Sequence, residues 1–213
     1  MKSYFEDPDS RSWALPEAHA EDDVRLSEDV LERYISLFTE AKDLVFDPFA
    51  GYGTTLLVAE RMGRIGLGCE ILLDRADYAN SLLSTSEVIA GDIRKIDLSG
   101  VTAQLIISSP PYMNRFDSED PLQGYSEPVA SYEQYVIELA SIYVDLVGKI
   151  LAPGGRLVIQ LQNLRNEQGE TPLAFDLFAA IDRRLKFMGE EVAIWQKPSY
   201  GYSHGHCFIY TSA

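Results

Sequence analysis

The sequence predicts an α/β fold: a doubly wound, mostly parallel sheet of seven strands closed by an antiparallel C-terminal hairpin. Three observations carry this expectation. Short apolar runs, among them Leu44 to Asp47, Ile65 to Glu70 and Gln104 to Ser109, alternate with stretches of helical periodicity. The chain has 213 residues, 46% of them hydrophobic, enough to bury one core without metals or disulfides. Its two cysteines, Cys69 and Cys207, lie far apart with no CxxC partner, so they read as structural thiols.

Residues 1–25 hold Pro8, Pro16 and many acids without sustained periodicity and read as an acidic N-terminal arm or flap; residues 26–213 read as a single domain. Ser27 is placed to cap a helix that opens with Glu28 and Asp29 and repeats Val30, Leu31, Tyr34, Leu37 and Phe38 at helical spacing. A strand at Leu44 to Asp47 follows, then a helix over Thr54 to Met62, a strand at Ile65 to Glu70, a helix through Asp74 to Leu83, and a short strand at Glu87 to Ala90. Gln104 to Ser109 is a buried-strand run. Ser131 caps a long helix with Tyr132, Tyr135, Val136, Leu139, Tyr143, Leu146 and Ile150 on one stripe, ended by Pro153-Gly154-Gly155. A strand at Arg156 to Gln162, a helix over Thr171 to Phe187, and a hairpin of Glu191 to Gln196 with Cys207 to Thr211 complete the sheet.

Charge and composition exclude several classes. No run approaches the ~18 apolar residues of a membrane helix, and the N-terminus lacks the layout of a secretion signal, so no membrane partner and a cytoplasmic location are expected. The formal net charge of −15 is the wrong sign for a general nucleic-acid binder. It is also uneven. Residues 1–155 carry 27 acids against 12 bases, whereas residues 156–213 carry six of each, so a polyanion would prefer the C-terminal part.

In such sheets, ligands sit beyond the carboxyl ends of the strands. There the run Asp47-Pro48-Phe49-Ala50-Gly51-Tyr52-Gly53-Thr54-Thr55 turns from strand to helix, its two glycines letting the backbone approach a ligand. Glu70, at the end of the next strand, is placed to accept two ribose hydroxyls; Asp92, followed by Ile93, stands at the third strand end, where a carboxylate can accept from an adenine amino group. Leu56 occupies the position of a dinucleotide site's third glycine and no lysine follows the loop, which disfavours NAD and a P-loop. Acids at three strand ends suit a ligand with an amine, a ribose and an adenine but no phosphate: S-adenosyl-L-methionine. Taken singly, Asp47 and Asp92 could equally be a helix cap and a turn residue. No metal site is expected.

Ser109-Pro110-Pro111-Tyr112 ends the fourth strand in a stiff corner, because proline cannot continue the ladder. The lone pair of a nucleobase exocyclic amine is delocalised into the ring. Acceptors for its hydrogens, here the Ser109 hydroxyl and the Pro110 carbonyl, can pyramidalise the nitrogen and aim it at a sulfonium methyl, while Tyr112 stacks on the base. Such positioning is worth ~7 kcal/mol or more.

Together, DPFAGYGTT (47–55) and SSPPY (108–112) resemble two signature motifs of the amino-group DNA methyltransferases, which methylate cytosine N4 or adenine N6 with S-adenosylmethionine. The resemblance spans roughly residues 26 to 212 and implies a Rossmann-like class I methyltransferase fold. It assigns Glu70 and Asp92 to ribose and adenine, and Trp195 and Lys197 of Ile194-Trp-Gln-Lys-Pro198 to the neighbourhood of the target base. Serine before the two prolines implies cytosine N4. The chain departs from the family in motif order, in an acidic segment at Glu17 to Asp23, and in lacking an evident target-recognition domain. DNA is the favoured substrate and RNA the alternative, read alone or with a second copy or a specificity subunit; a noncatalytic subunit of the same fold is the competing class. Further substrate candidates are Asn114 and Arg115, for which a plain salt bridge is the competing reading, and the aromatic loop with Tyr200 and Tyr202.

Overall fold

The computed structural model describes residues 3–15, 25–126, 128, 131–199 and 202–212, with the backbone alone for residues 197–199. An eight-stranded sheet runs through it in the order β1-β9-β10-β6-β5-β2-β3-β4. The strands are β1 (Tyr4–Asp7), β2 (Leu44–Asp47), β3 (Ile65–Glu70), β4 (Glu87–Ala90), β5 (Ala103–Ser108), β6 (Leu151–Leu161), β9 (Lys186–Ser199) and β10 (Tyr202–Thr211); β7 (Leu164–Asn166) and β8 (Gly169–Thr171) form a separate antiparallel hairpin. Among the described residues, five helices cover the two faces: α1 (Glu28–Phe38), α2 (Thr54–Arg61), α3 (Leu73–Leu82), α4 (Tyr132–Ile150) and α5 (Leu173–Ile181).

From β4 to β6 neighbouring strands are parallel, and β10 runs antiparallel to both β6 and β9. The chain leaves β2 toward β3 and β4, then returns to place β5 on the other side of β2. That reversal opens a crevice above the carboxyl ends of β2 and β5. One face packs α4 and α5 against Phe46, Ile106, Leu157, Ile159 and Phe208; the other packs α1 and α2 against Val45, Leu105, Ile107 and Val158. Ser27 caps α1 as expected, accepting from Asp29 N–H at 3.2 Å.

The structure corrects the sequence reading in three places. The sheet has eight strands rather than seven, because Tyr4–Asp7 pairs in parallel with Val192 to Trp195. The start of the arm is therefore built into the fold. Asp7 is 1% exposed and accepts from the Ser27 hydroxyl at 2.6 Å, while Ser10 and Ser12 N–H donate to Asp29 and Glu28. Four residues without alternation carry no strand signal of their own; the exposed edge of β9 supplies it. Second, the helix expected through Phe187 ends at Ile181, where Arg183 turns the chain with φ 66° and Lys186 opens β9. Leu185 and Phe187 continued the helical spacing by coincidence. Third, the β7–β8 hairpin fills a stretch the sequence left without structure. The segment Glu17 to Asp23 lies outside the described residues.

Candidate active site

Above the crevice lies a cavity of about 430 Å³. Its floor is the glycine loop. Gly51 adopts φ +53°, and its N–H donates to Glu70 Oε2 at 2.9 Å; Leu72 N–H donates to Oε1 at 2.9 Å. Each Glu70 oxygen thus keeps an acceptor position, and the side chain is fixed at the cavity wall with 8% of the residue exposed. Gly53 does not line the cavity; it caps α2 with φ +82°, where a Cβ would stand 2.9 Å from Ala79 Cβ, so a side chain there meets strain and collision together.

Asp47 ends β2 and is 3% exposed. It accepts from Phe49 N–H at 3.0 Å and from the Thr55 hydroxyl at 2.5 Å. Burial pushes its carboxyl up to about 6, against the hydrogen bonds from Thr55, Phe49 and Ser108. Burial likewise raises Glu70, opposed by the Leu72 and Gly51 N–H groups and the Arg75 charge. Two buried acids on one wall suit a cationic or hydroxyl-rich guest. Beside them, Pro48 and Phe49 line the wall, and Thr54 Oγ1 is buried without a hydrogen-bond partner at an α2 N-terminus that has no side-chain cap. An unpaired hydroxyl with the first helical N–H groups is a ready carboxylate seat.

Asp92 and Ile93 also line the cavity, but Asp92 is already engaged. Arg94 grips both its oxygens, at 2.8 and 2.9 Å, and Lys95 stands 3.3 Å away. Burial works upward on this carboxyl, yet the Arg94 and Lys95 bonds hold it below the ordinary aspartate range. Arg94 in turn donates to Leu122 O at 3.1 Å, so Asp92 also anchors the loop that roofs the cavity. That roof is a 3-10 turn at Pro121–Gln123 capped by Asp120, with Pro121, Leu122 and Tyr125 facing the cavity.

The far wall is the diproline corner: Ser109, Pro110, Pro111 and Tyr112 all line the same cavity. Ser109 Oγ lies 3.3 Å from Tyr112 Oη. Behind the corner, Tyr135 donates to Pro111 O at 2.6 Å, and Tyr143 donates to Ser108 Oγ at 3.3 Å. Burial drives both phenols well above their ordinary range, so they stay protonated donors.

The substrate candidates divide. Asn114 lines the cavity and accepts from the Thr171 hydroxyl at 2.9 Å. Arg115 does not: its guanidinium pairs with Asp176 at 2.8 Å and lies over the Tyr132 ring, the salt-bridge reading. Trp195 pairs with Asp7 across β9 and β1, and a Cβ on Gly205 would stand 2.9 Å from its ring, so it is packed within the sheet and away from the cavity lining. Tyr202 does not line the cavity, but its ring lies beside Arg165, which does. The Lys197 side chain and Tyr200 lie outside the described residues. The sequence reading missed Arg75, Arg94 and Arg165 on the cavity wall. Only Arg94 left a signal, two residues after the strand-end acid it grips.

Residues 6–81 match the sequence profile of the N6/N4 family described as DNA methylase. The motif-based resemblance to amino-group DNA methyltransferases is borne out. The match takes in the glycine loop and Glu70 and ends before the diproline corner. Among curated relatives, the Type II methyltransferase M.BglII of Bacillus subtilis is 41% identical over 69 residues, 31% of this chain and 19% of its own length. The Type II methyltransferase M1.MboII of Moraxella bovis is 38% identical over 60 residues, 28% of this chain and 23% of its own. The matched stretch thus spans about a fifth of these relatives. Over nearly the whole chain, the fold is that of a TehB-like SAM-dependent methyltransferase from Corynebacterium glutamicum, with TM-score 0.59, 16% identity, and 92% and 93% of the two chains covered. The structure therefore has the Rossmann-like fold seen in methyltransferases, and its residues 6–81 are similar to the DNA methylase profile.

Proposed function

We propose that this chain transfers a methyl group from S-adenosyl-L-methionine to the exocyclic amine of a nucleobase, cytosine N4 in DNA. One observation supports the reading above all others: Glu70 and the Ser109 to Tyr112 corner, separated in sequence by a helix, two strands and a loop, line one cavity.

The wall fits the cofactor group by group. Glu70 keeps acceptor positions for two ribose hydroxyls, the apolar Ile93, Pro121 and Leu122 flank the place of a purine, and Asp47 faces the amine. Thr54 Oγ1, buried and unpartnered, has the α2 N-terminus beside it for the carboxylate. When bound, the cofactor supplies an electrophilic methyl on a cationic sulfur. The Ser109 hydroxyl and Pro110 carbonyl accept the amine hydrogens, so that the nitrogen lone pair is freed from the ring toward that methyl. Tyr112 stacks on the base, and Tyr135 holds the corner rigid through Pro111 O. An amine that gains a methyl sheds one proton, and solvent at the open mouth takes it.

No helix among the described residues is long and apolar enough to cross a membrane. We place the protein in the cytoplasm, with DNA as its partner. Mass spectrometry of nucleosides from unmethylated DNA incubated with protein and cofactor tests the reading: N4-methylcytosine is expected, N6-methyladenine would move the target, and unmodified DNA with methylated RNA would overturn it.

A further inference from the structure

Opposite the glycine loop, the cavity is walled by the β7–β8 hairpin, through Leu164, Arg165 and Asn166. The hairpin is tied to the diproline corner by wholly buried Thr171, which donates to Asn114 Oδ1 at 2.9 Å and accepts from Arg115 N–H at 3.1 Å. Two aromatic rings flank it. Phe116, 47% exposed, lies against Gly169, where a Cβ would stand 3.4 Å from the ring. On the other side, the Arg165 guanidinium lies 5.5 Å from the centroid of Tyr202.

Arg165 is also the cation with the most freedom on this side. It pairs with Glu170 across the hairpin, but the two side chains are 55% and 60% exposed, so the pair is weak and leaves several N–H donors for another acceptor. The other arginines lining the cavity, among the described residues, are placed elsewhere. Arg94 is held by Asp92 and Glu138 under the roof, Arg75 lies over Tyr52 beside the ribose acid, and Arg25 lies over Trp13.

We propose that the β7–β8 hairpin is the chain's clamp on its substrate strand, with Arg165 contacting a backbone phosphate next to the target nucleotide and Phe116 and Tyr202 offering rings to unstacked bases. The inference rests on the reading of the chain as a DNA base methyltransferase and names a contact which that reading leaves open. Two arguments support it. A chain of net charge −15 needs a local cation wherever a polyanion approaches, and a guanidinium fork matches phosphate. The exposed Phe116 ring against Gly169 and the half-buried Tyr202 ring beside Arg165 are stacking surfaces of the kind that hold single-stranded segments.

Binding of a short labelled DNA duplex, titrated across salt concentrations, tests the contact. Arg165→Ala is expected to weaken binding about ten-fold at low salt, uniformly across sequences, and to flatten the slope of log K against log salt by about one. Its affinity for S-adenosylhomocysteine stays unchanged, and Arg165→Lys restores the slope. An Arg165→Ala protein with wild-type slope and affinity overturns the inference, as does an equal loss of cofactor affinity, which would mark a structural role. A loss confined to RNA of the same sequence overturns the assignment to DNA. If wild-type protein neither binds nor methylates DNA, the proposed function itself fails; if it does both and Arg165→Ala is silent, only the clamp fails.

Discussion

At the glycine-loop end of the cavity, Asp47 and Glu70 accept from Phe49, Thr55, Gly51 and Leu72, donors at most 19 residues away in the chain, and Asp47 accepts besides from Ser108 at the end of the neighbouring strand β5. At the diproline end, Pro111 and Asn114 are held by Tyr135 and Thr171, 24 and 57 residues away. One end is assembled from its own strand ends, while the other exists only after α4 and the β7–β8 hairpin have docked. The two should therefore fail separately: damage to the first should abolish cofactor binding, and damage to the second should spare it. Mutations that break this separation would break the account of the site.

The largest effect is expected at Glu70. Glu70→Ala removes the acceptors for both ribose hydroxyls, each a charge-assisted bond worth ~1.5 kcal/mol or more, so affinity for S-adenosylhomocysteine should fall by about 100-fold or beyond. Calorimetric titration measures this directly, with circular dichroism to verify folding. Glu70→Gln, which keeps one acceptor oxygen, should fall between. At the other end, Ser109→Ala and Tyr112→Ala should each slow methyl transfer by about 100-fold while cofactor affinity stays within two-fold of wild type. Unchanged turnover in both would refute the role given to the corner.

Protonation sharpens the same contrast. Asp47 titrates at about 6 in the fold against 3.8 for the ordinary carboxyl, so the free protein takes up a proton there on folding. That contribution to stability is fully present below the unfolded value and is lost as pH rises through about 6, a change on the order of 3 kcal/mol. Binding should run the other way, since a ligand amine needs the ionised carboxylate. Affinity for S-adenosylhomocysteine should rise about five-fold between pH 5 and 6 and flatten above pH 7. Asp47→Asn should abolish both trends. A pH-independent affinity in the wild type would show that Asp47 does not meet the amine.

The same difference in chain distance explains what the sequence made legible. Strand ends, glycines and the acids beside them sit in consecutive residues, so the positions of Asp47, Gly51 and Glu70 could be read directly. Arg115 and Trp195 misled because residue type cannot say which way a side chain turns: Asp176 lies 61 residues from Arg115, and Trp195 is fixed by a strand, β1, that has no pattern of its own. Arg165 was invisible for the same reason. Its place on the cavity wall depends on a hairpin of three-residue strands, too short for alternation to register.

The smallest effect is the most diagnostic, because it concerns a residue that touches neither ligand. Tyr135 is 2% exposed and spends its hydroxyl on Pro111 O. Tyr135→Phe keeps the ring in the core and removes only that donor, at a cost of about 1 kcal/mol, seen as a fall of ~2–4 °C in Tm. A carbonyl released from its donor lets the corner shift, and a displaced acceptor aims the amine less well. Turnover should drop several-fold at saturating cofactor, with cofactor affinity untouched. A stability loss of this size with full turnover would show that the two prolines hold the corner unaided, and the dependence of the substrate end on distant elements would then reduce to the Asn114–Thr171 link.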